Sequence, residues 1–469
     1  MSSLPSRTLA AAFAAAAIIA PIELCAQSAA QGTRSNARRD TTVRAQRAAI
    51  DSIARQMIAA RKAPGMAVVV LRGNDTVVAR GYGVADLAST RTVDASSIFR
   101  VGSITKQFTA AMVLQLVGAG KVRLDDSLHR FLAELAGPAR NATIQQLLTH
   151  TSGIPNYTEL GWFRQRGRRA IPRAEMIRLL DTEPLRFAHG TQWAYDNSGY
   201  YLLGAVIERV TGESFASHLR RAIVTPLALR HTGYCDASDG VAATVTGYDL
   251  EGGAFDAVAP VDMANPFAAG ALCSSAGDLA RWMTALLAGR VVPDSLLRRM
   301  LTPVQVDGRR APYGYGMELT ELGGQRRIGH GGSLPGFDGY VAHYPDEKLT
   351  VVVLTNGSSA NAEAIEKTLA RRLLGIAEPA FVEVPLTASA LASYVGSYRA
   401  GPGRVIVSLR GRLLHVAGPV EADLAHVGDH TFVMTEEPDV RLVFRVEGGS
   451  ATSIAWTSRG RTLTLPRIP

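Results

Sequence analysis

Apolar residues recur with two different periods along this chain, and the places where the period changes mark its elements. In "RAQRAAIDSIARQMIAARKAPG" the spacing is helical, and the run stops at Pro64 and Gly65. The following "GMAVVVLRGNDTVVARGYGVAD" reads as two strands joined by a turn at Gly73, Asn74 and Asp75. "FRVGSITKQFTAAMVLQLV", beginning at Phe99, predicts an apolar helix with Ser103 at its mouth. A long, mainly helical middle follows, including "NSGYYLLGAVIERVTG" from Asn197. Strands return with "GFDGYVAHYPDEKLTVVVLTNG", a hairpin turning at Pro345 to Lys348, and a last helix runs from about Asn361 to Leu374. Strands at both ends with helices between predict an α+β fold, an α-β sandwich. One antiparallel sheet is assembled from the two ends of the domain, flanked by helices and packed against a mainly helical region.

After that helix the proline-bearing "GIAEPAFVEVPLTA" reads as a linker, and from Leu391 the pattern changes character. "YVGSYRAGPGRVIVSLRGRLLHVAG" and the segments ending in "RLVFRVEGG", "SIAWTSRG" and "RTLTLPRIP" are short strands separated by glycine-rich turns, the pattern of a small all-β barrel or sandwich. The expected layout is a main domain at 44–375, a linker at 376–388 and a small β-barrel domain at 389–469. Ahead of these, one basic residue, Arg7, precedes an apolar run to about Ile22 and then small residues. This is the arrangement of a secretory signal over 1–26, too short and alanine-rich for a membrane span, followed by a polar, disordered stretch at 27–43. Cys25 fits a lipoprotein cleavage site, but Glu23 and Leu24 stand where small residues belong, so the expectation is a secreted or periplasmic protein with no stable membrane insertion after cleavage.

Composition narrows the function classes. The chain has 469 residues, 47% hydrophobic and 19% charged, a globular balance with room for two domains. Its net charge of +9 raises the question of nucleic acid. The arginines are scattered, however, with one tight cluster at Arg164 to Arg169 and no binding motif beside it, so the charge reads as a surface property and no nucleic-acid partner is expected. No phosphate-cradling glycine loop, zinc spacing or other metal signature occurs, and no cofactor is expected. Cleavage near Ala26 would leave Cys235 and Cys273, which could form a disulfide or remain two buried thiols.

Lysine is rare here. Lys62, Lys106, Lys121, Lys348 and Lys367 are the whole set, and every other basic residue among the 50 is arginine. Arginine cannot lose its proton near neutral pH, whereas a buried lysine can, so retention of lysine at Lys106 matters if that position needs a base. Ser103 lies three residues before it, on the same face of a helix, where a desolvated neutral amine can take the hydroxyl proton and where the first-turn N–H groups favour negative charge. Without further context the pair reads as a capping serine and an exposed lysine. In "TQWAYDNSGYYLLG", Tyr195 and Asn197 flank Asp196 and alternate so that phenol and amide aim the same way; the plainer reading makes Asn197 a helix cap. In "RIGHGGSLPGFDGY", His330, Gly331 and Gly332 enter a strand, and the glycines let a ligand approach the backbone.

Taken together, Ser103-x-x-Lys106, Tyr195-x-Asn197 and His330-x-Gly332 resemble the penicillin-recognising serine hydrolases. The branch is the one containing class C β-lactamases, D-alanyl-D-alanine carboxypeptidases, D-aminopeptidases and related esterases. "LLTHTSGIP" from Leu147 also matches that branch, and the resemblance covers roughly Ile50 to Leu374. The class A pattern, with a serine where Tyr195 stands, does not fit. The resemblance implies that Ser103 is the acylated nucleophile, Lys106 its activating partner, Tyr195 the proton relay and Asn197 a contact to substrate and lysine. It implies an oxyanion hole from the backbone N–H groups of Ser103 and Ser333, with His330, Gly331 and Gly332 bordering the substrate. His150 is expected to be structural. Members usually carry lysine where His330 stands, and a histidine with a reference pKa of about 6.5 gives weaker carboxylate recognition. The expected activity is therefore a secreted serine hydrolase acting on esters or amide and peptide bonds, of esterase or D-amino-acid peptidase type. The alternatives are a β-lactamase or D-alanyl-D-alanine carboxypeptidase, or a non-catalytic binder of cell-wall fragments. Partners are small ester, peptide or β-lactam substrates. An α/β-hydrolase is disfavoured, because no Gly-x-Ser-x-Gly elbow occurs. The terminal β-domain resembles the small barrel appended to some members.

Overall fold

Val68, Val69 and Val70 pair with Val353, Val352 and Val351, and this one ladder joins the two ends of the main domain. The computed structural model describes residues 43–469 apart from 168, 237–240, 401–402, 419–420, 436 and 459–460. The expected signal segment, Cys25 and nearly all of the polar stretch at 27–43 lie outside the described residues. A helix covers residues 43–59. Strands β1 (Gly65–Arg72), β2 (Asp75–Gly83), β3 (Glu318–Leu322), β4 (Gln325–Leu334), β5 (Phe337–Tyr344) and β6 (Leu349–Thr355) form one antiparallel sheet in the order β3-β4-β5-β6-β1-β2. The adjoining interior strands β6 and β1 are runs of valine and leucine that are buried along nearly their whole length, as expected for strands covered on both faces. Helices α3 (Ala276–Leu287) and α4 (Ala362–Leu374) supply that cover.

The helical region is built around α1 (Thr105–Gly118), with α2 (Ser198–Thr211) packed against it. α1 is buried on every side over its first three turns, so its sequence carries no polar face for solvent. Gln107 accepts from Trp282 Nε1 of α3 at 2.8 Å, and three other polar side chains are tied to the segment that follows residue 267. Thr109 Oγ1 donates to the Ala268 carbonyl at 2.7 Å, Lys106 Nζ to the Ala269 carbonyl at 2.9 Å, and the Leu272 N–H donates to Thr105 Oγ1 at 3.1 Å. That segment continues into a short strand, Leu272–Ser274, flanked by Phe99–Arg100 and Gly233–Tyr234. Cys235 and Cys273 are bonded there with Cα atoms 4.8 Å apart, which decides between the two states left open by the sequence.

From Gly396 to Ile468 eight antiparallel strands close into a barrel rather than a sandwich. Its interior is filled by Tyr398, Val407, Leu414, Phe432, Leu442, Phe444 and Ile454, and closure leaves no exposed sheet edge. The barrel is anchored to α4 by ion pairs, Lys367 with Glu437 and Arg371 with Asp439. Lys367 also meets Glu363 at 3.2 Å, and Glu363 meets Arg327 of β4 at 3.0 Å. The buried Arg327 guanidinium is further held by Glu366, whose other oxygen accepts from the Tyr344 hydroxyl at 2.8 Å. Among the described residues no helix is long and apolar enough to cross a membrane.

This network sets different expectations for its inner and outer members. Glu366→Ala leaves a buried guanidinium short of a partner and is expected to lower the unfolding free energy by about 3–5 kcal/mol. Asp439→Ala, which removes a half-exposed partner of Arg371, is expected to cost about 1 kcal/mol. Urea unfolding of both variants measures the difference, and equal effects would contradict the assignment of Arg327 as the centre of the network.

Candidate active site

Ser103 is presented by a single 3₁₀ turn, Gly102–Ile104, that runs straight into α1. Two glycines make this possible. Gly102 has φ +49°, and a Cβ there would lie 2.8 Å from the Ser333 nitrogen. On β4, a Cβ at Gly332 would lie 1.9 Å from the Val101 oxygen and 2.9 Å from the Ser103 nitrogen. The edge of β4 and the serine turn are thus in direct backbone contact, and the backbone nitrogens of Ser103 and Ser333 border the same place. The serine is partly exposed, whereas Lys106, one turn further on, is fully buried.

Lys106 Nζ has three close partners: Ser103 Oγ at 2.9 Å, Asn197 Oδ1 at 2.7 Å and the Ala269 carbonyl at 2.9 Å. Burial lowers its pKa to about 7, an effect opposed by the negative charge of Asp196. Two of the three partners are carbonyl oxygens, which only accept. When the amine is neutral its two N–H bonds satisfy them, and its lone pair faces the one partner able to donate, the Ser103 hydroxyl. The amine also lies 4.8 Å from the centre of the Tyr195 ring and 5.5 Å from that of Tyr200.

Asn197 occupies the N-cap position of α2, yet its side chain makes no capping bond; it is turned to the lysine. The cap is supplied instead by Asp196, whose Oδ1 accepts from the Gly199 N–H. The other oxygen of this buried carboxylate meets His150 Nδ1 at 3.3 Å. His150 itself is buried with φ +58°, a left-handed conformation, and its carbonyl accepts from the Ala194 N–H at 3.1 Å. Its ring backs that of Tyr195 at 4.4 Å between centroids and that of Tyr313 at 4.6 Å. "LLTHTSG" therefore builds the wall behind Tyr195.

The third motif departs from its sequence reading in position. β4 begins five residues earlier, so His330 is in mid-strand rather than at a strand start. Its ring is buried and both nitrogens are engaged: Nδ1 with the Gly331 carbonyl at 2.6 Å and Nε2 with the Tyr313 hydroxyl at 2.9 Å. Because a carbonyl only accepts, Nδ1 carries the proton and Nε2 accepts from the tyrosine. Burial pushes the pKa of this histidine down to about 4, so it is neutral at pH 7. Gly331 is covered by the Tyr340 ring, and the Ser333 side chain is exposed beside the turn.

Chemically, the arrangement is a half-exposed hydroxyl whose proton can pass to a buried amine, beside the backbone nitrogens of Ser103 and Ser333. All eight residues singled out from the sequence lie on the Ser103 turn, the start of α1 and α2, or β4. Sequence reasoning missed Asp196 as the true cap, the Ala269 carbonyl and Tyr313. Asp196 sits between Tyr195 and Asn197, whereas Ala269 and Tyr313 have no local signal. Among the described residues no cluster of three or more His, Cys, Asp or Glu could hold a metal ion.

Residues 50–376 match the Beta-lactamase family. The chain is 30% identical over 354 residues to a D-aminopeptidase of Brucella ovis, a match covering 74% of this chain and 66% of that relative's length. The octameric penicillin-binding protein homologue from Pyrococcus abyssi superposes with a TM-score of 0.66 at 24% identity, covering 89% of this chain and 99% of the other, which shows the shared fold. A D-stereospecific amidohydrolase from Streptomyces sp. superposes with a TM-score of 0.60 at 27% identity over 70% of this chain and 99% of its own.

Two outcomes follow from the geometry. The rate of covalent modification of Ser103 by a fluorophosphonate is expected to fall as pH drops through about 7, because protonation removes the lone pair of Lys106. A rate independent of pH from 5 to 9 would contradict this. Gly332→Ala is expected to push β4 off the serine turn and to slow modification roughly a hundredfold. Labelling rates at wild-type level would show that the contact does not set the site.

Proposed function

Since the chain belongs to the Beta-lactamase family, we propose that it is a serine hydrolase of the peptidase type that cleaves amide or peptide bonds next to D-amino acids through an acyl-serine intermediate. The observation that carries this reading is the contact of Ser103 Oγ with a buried Lys106 amine whose other two partners are carbonyl oxygens. In the proposed reaction Ser103 Oγ attacks the substrate carbonyl carbon while its proton passes to Lys106 Nζ. The oxygen of the tetrahedral intermediate is held by the backbone N–H groups of Ser103 and Ser333, where one such donor typically contributes about 3 kcal/mol. As the C–N bond breaks, Tyr195 relays a proton to the departing amine. Water then attacks the acyl-serine, giving up its proton through the same groups, and Ser103 recovers its hydroxyl.

The substrate class rests on three supports. One relative is named a D-aminopeptidase, and a structure at 27% identity is a D-stereospecific amidohydrolase. The third is His330: neutral and bonded to Tyr313 and Gly331, it offers no fixed positive charge for a substrate carboxylate, unlike the lysine usual at that position. Bonds without an adjacent carboxylate are therefore favoured over β-lactams. We propose a secreted or periplasmic location as well, supported by the Cys235–Cys273 bond, which suits an oxidising compartment.

A hydrolysis panel tests the proposal, with D- and L-alanine p-nitroanilides, a short-chain nitrophenyl ester and a cephalosporin run against wild type, Ser103→Ala and Lys106→Arg. The D-anilide is expected to be cleaved faster than the L-form, with cephalosporin turnover slow or absent, and Ser103→Ala is expected to be inactive. Lys106→Arg keeps the charge but cannot serve as base, so it is expected to lose roughly a hundredfold or more. Rapid cephalosporin turnover dependent on Ser103 would replace the substrate assignment, and an active Lys106→Arg would refute the role of the lysine.

A further inference from the structure

Asn156 is bonded to Asn197, which in turn holds Lys106, and so it sits at the head of a chain of amides whose polarity runs to Ser103. Its position is rigidly held. Ser198 Oγ donates to the Pro155 carbonyl at 2.6 Å and accepts from the Tyr157 N–H at 2.9 Å, so the start of α2 brackets Asn156 on both sides. Asn156 precedes the 3₁₀ turn Tyr157–Glu159 and is buried, but its side chain forgoes the local cap and reaches Asn197 instead. Oδ1 accepts from the Asn197 backbone N–H at 3.1 Å and from Asn197 Nδ2 at 3.2 Å, while Nδ2 donates to Glu159 Oε1 at 3.1 Å.

Only one orientation satisfies these contacts. A carboxylate accepts and a backbone N–H donates, so Glu159 and the Asn197 N–H together force Asn156 to turn its oxygen towards Asn197. Asn197 must then turn its own NH2 group to Asn156 and its oxygen to Lys106. We infer that Asn156, backed by Glu159, is a positioning residue that fixes the amide of Asn197 and thereby aims the lone pair of Lys106 at Ser103. The inference rests on the acyl-serine reading above and deepens it.

If the Asn197 amide were free to flip, its Nδ2 would face the lysine. The neutral amine would accept that N–H and lose its lone pair to it, and the ammonium form would lose an acceptor. Both the rate of Ser103 acylation and the pH at which it falls should therefore decrease. The other groups around Lys106 are unchanged by such a flip: the Asp196 carboxylate, the rings of Tyr195 and Tyr200, and the buried imidazoles of His150 and His330.

The test is the rate of fluorophosphonate labelling of the full chain between pH 5 and 9 for wild type, Asn156→Ala and Glu159→Gln, with thermal unfolding recorded for each. The probe has no amino group, so the readout does not depend on substrate recognition. Asn156→Ala is expected to label roughly ten- to a hundredfold more slowly, with its acid limb moved to lower pH. Glu159→Gln is expected to show a smaller change in the same direction. A slower Asn156→Ala with an unmoved limb would mark the residue as merely structural and overturn the inference, as would wild-type behaviour in both variants. If Asn156→Ala does not fold, the limb of Glu159→Gln decides: moved, it supports the inference; unmoved, it overturns it. Absence of labelling in wild type would instead strike at the acyl-serine reading itself.

Discussion

The site depends on a single act of burial, the removal of the Lys106 amine from water. An exposed lysine near pKa 10.4 is charged at neutral pH and useless as a base. Enclosed beneath a half-exposed serine, it is brought to about 7. Burying such a group is tolerable because every hydrogen-bonding direction is met, by Ser103, Asn197 and the Ala269 carbonyl. Much of the main domain serves that enclosure. α1 is buried all round over its first three turns, the segment after residue 267 is laced to it by Thr105, Lys106 and Thr109, and the Tyr195 and Tyr200 rings cover the amine.

The second half of the site arrives from the far end of the chain, and the sheet is what delivers it. Pairing of β1 with β6 brings the C-terminal hairpin to the N-terminal one, which places β4 against the Ser103 turn. The same strand carries Arg327, whose carboxylate partners lie on α4 and continue to the barrel through Lys367 and Glu437. A strand held so firmly at Arg327 keeps Gly332 and Ser333 in place a few residues later. His330 contributes to this rigidity as a neutral, doubly bonded group, and its lack of charge shapes what the site can recognise.

Much of this was legible in the sequence, for identifiable reasons. The valine runs of β1 and β6 and the apolar stretch of α1 are local patterns that burial enforces, so their elements and the α+β arrangement could be read directly. Ser103, Lys106, Tyr195 and Asn197 were legible only together with His330 and Gly332: each motif alone has a plainer reading, and the three in combination carry the family resemblance. What escaped reading depends on contacts between distant segments. Asn197 looks like a helix cap until Asp196 is seen to cap in its place. Asn156 and Ala269 have no local mark, since the first acts across forty-one residues and the second through its backbone. The pairing of Cys235 with Cys273 is likewise decided by the approach of distant segments, which spacing along the chain does not encode.

The central claim is that Lys106 is a neutral amine for much of the time near neutral pH, and the scarcity of lysine makes it directly observable. With lysine side chains labelled at the ε-carbon by ¹³C, five resonances are expected, from Lys62, Lys106, Lys121, Lys348 and Lys367. A pH titration followed by NMR, with Lys106 assigned by its loss in Lys106→Arg, should give one midpoint at about 7 for Lys106. A midpoint for Lys106 near the ordinary value of about 10.4 would contradict the account.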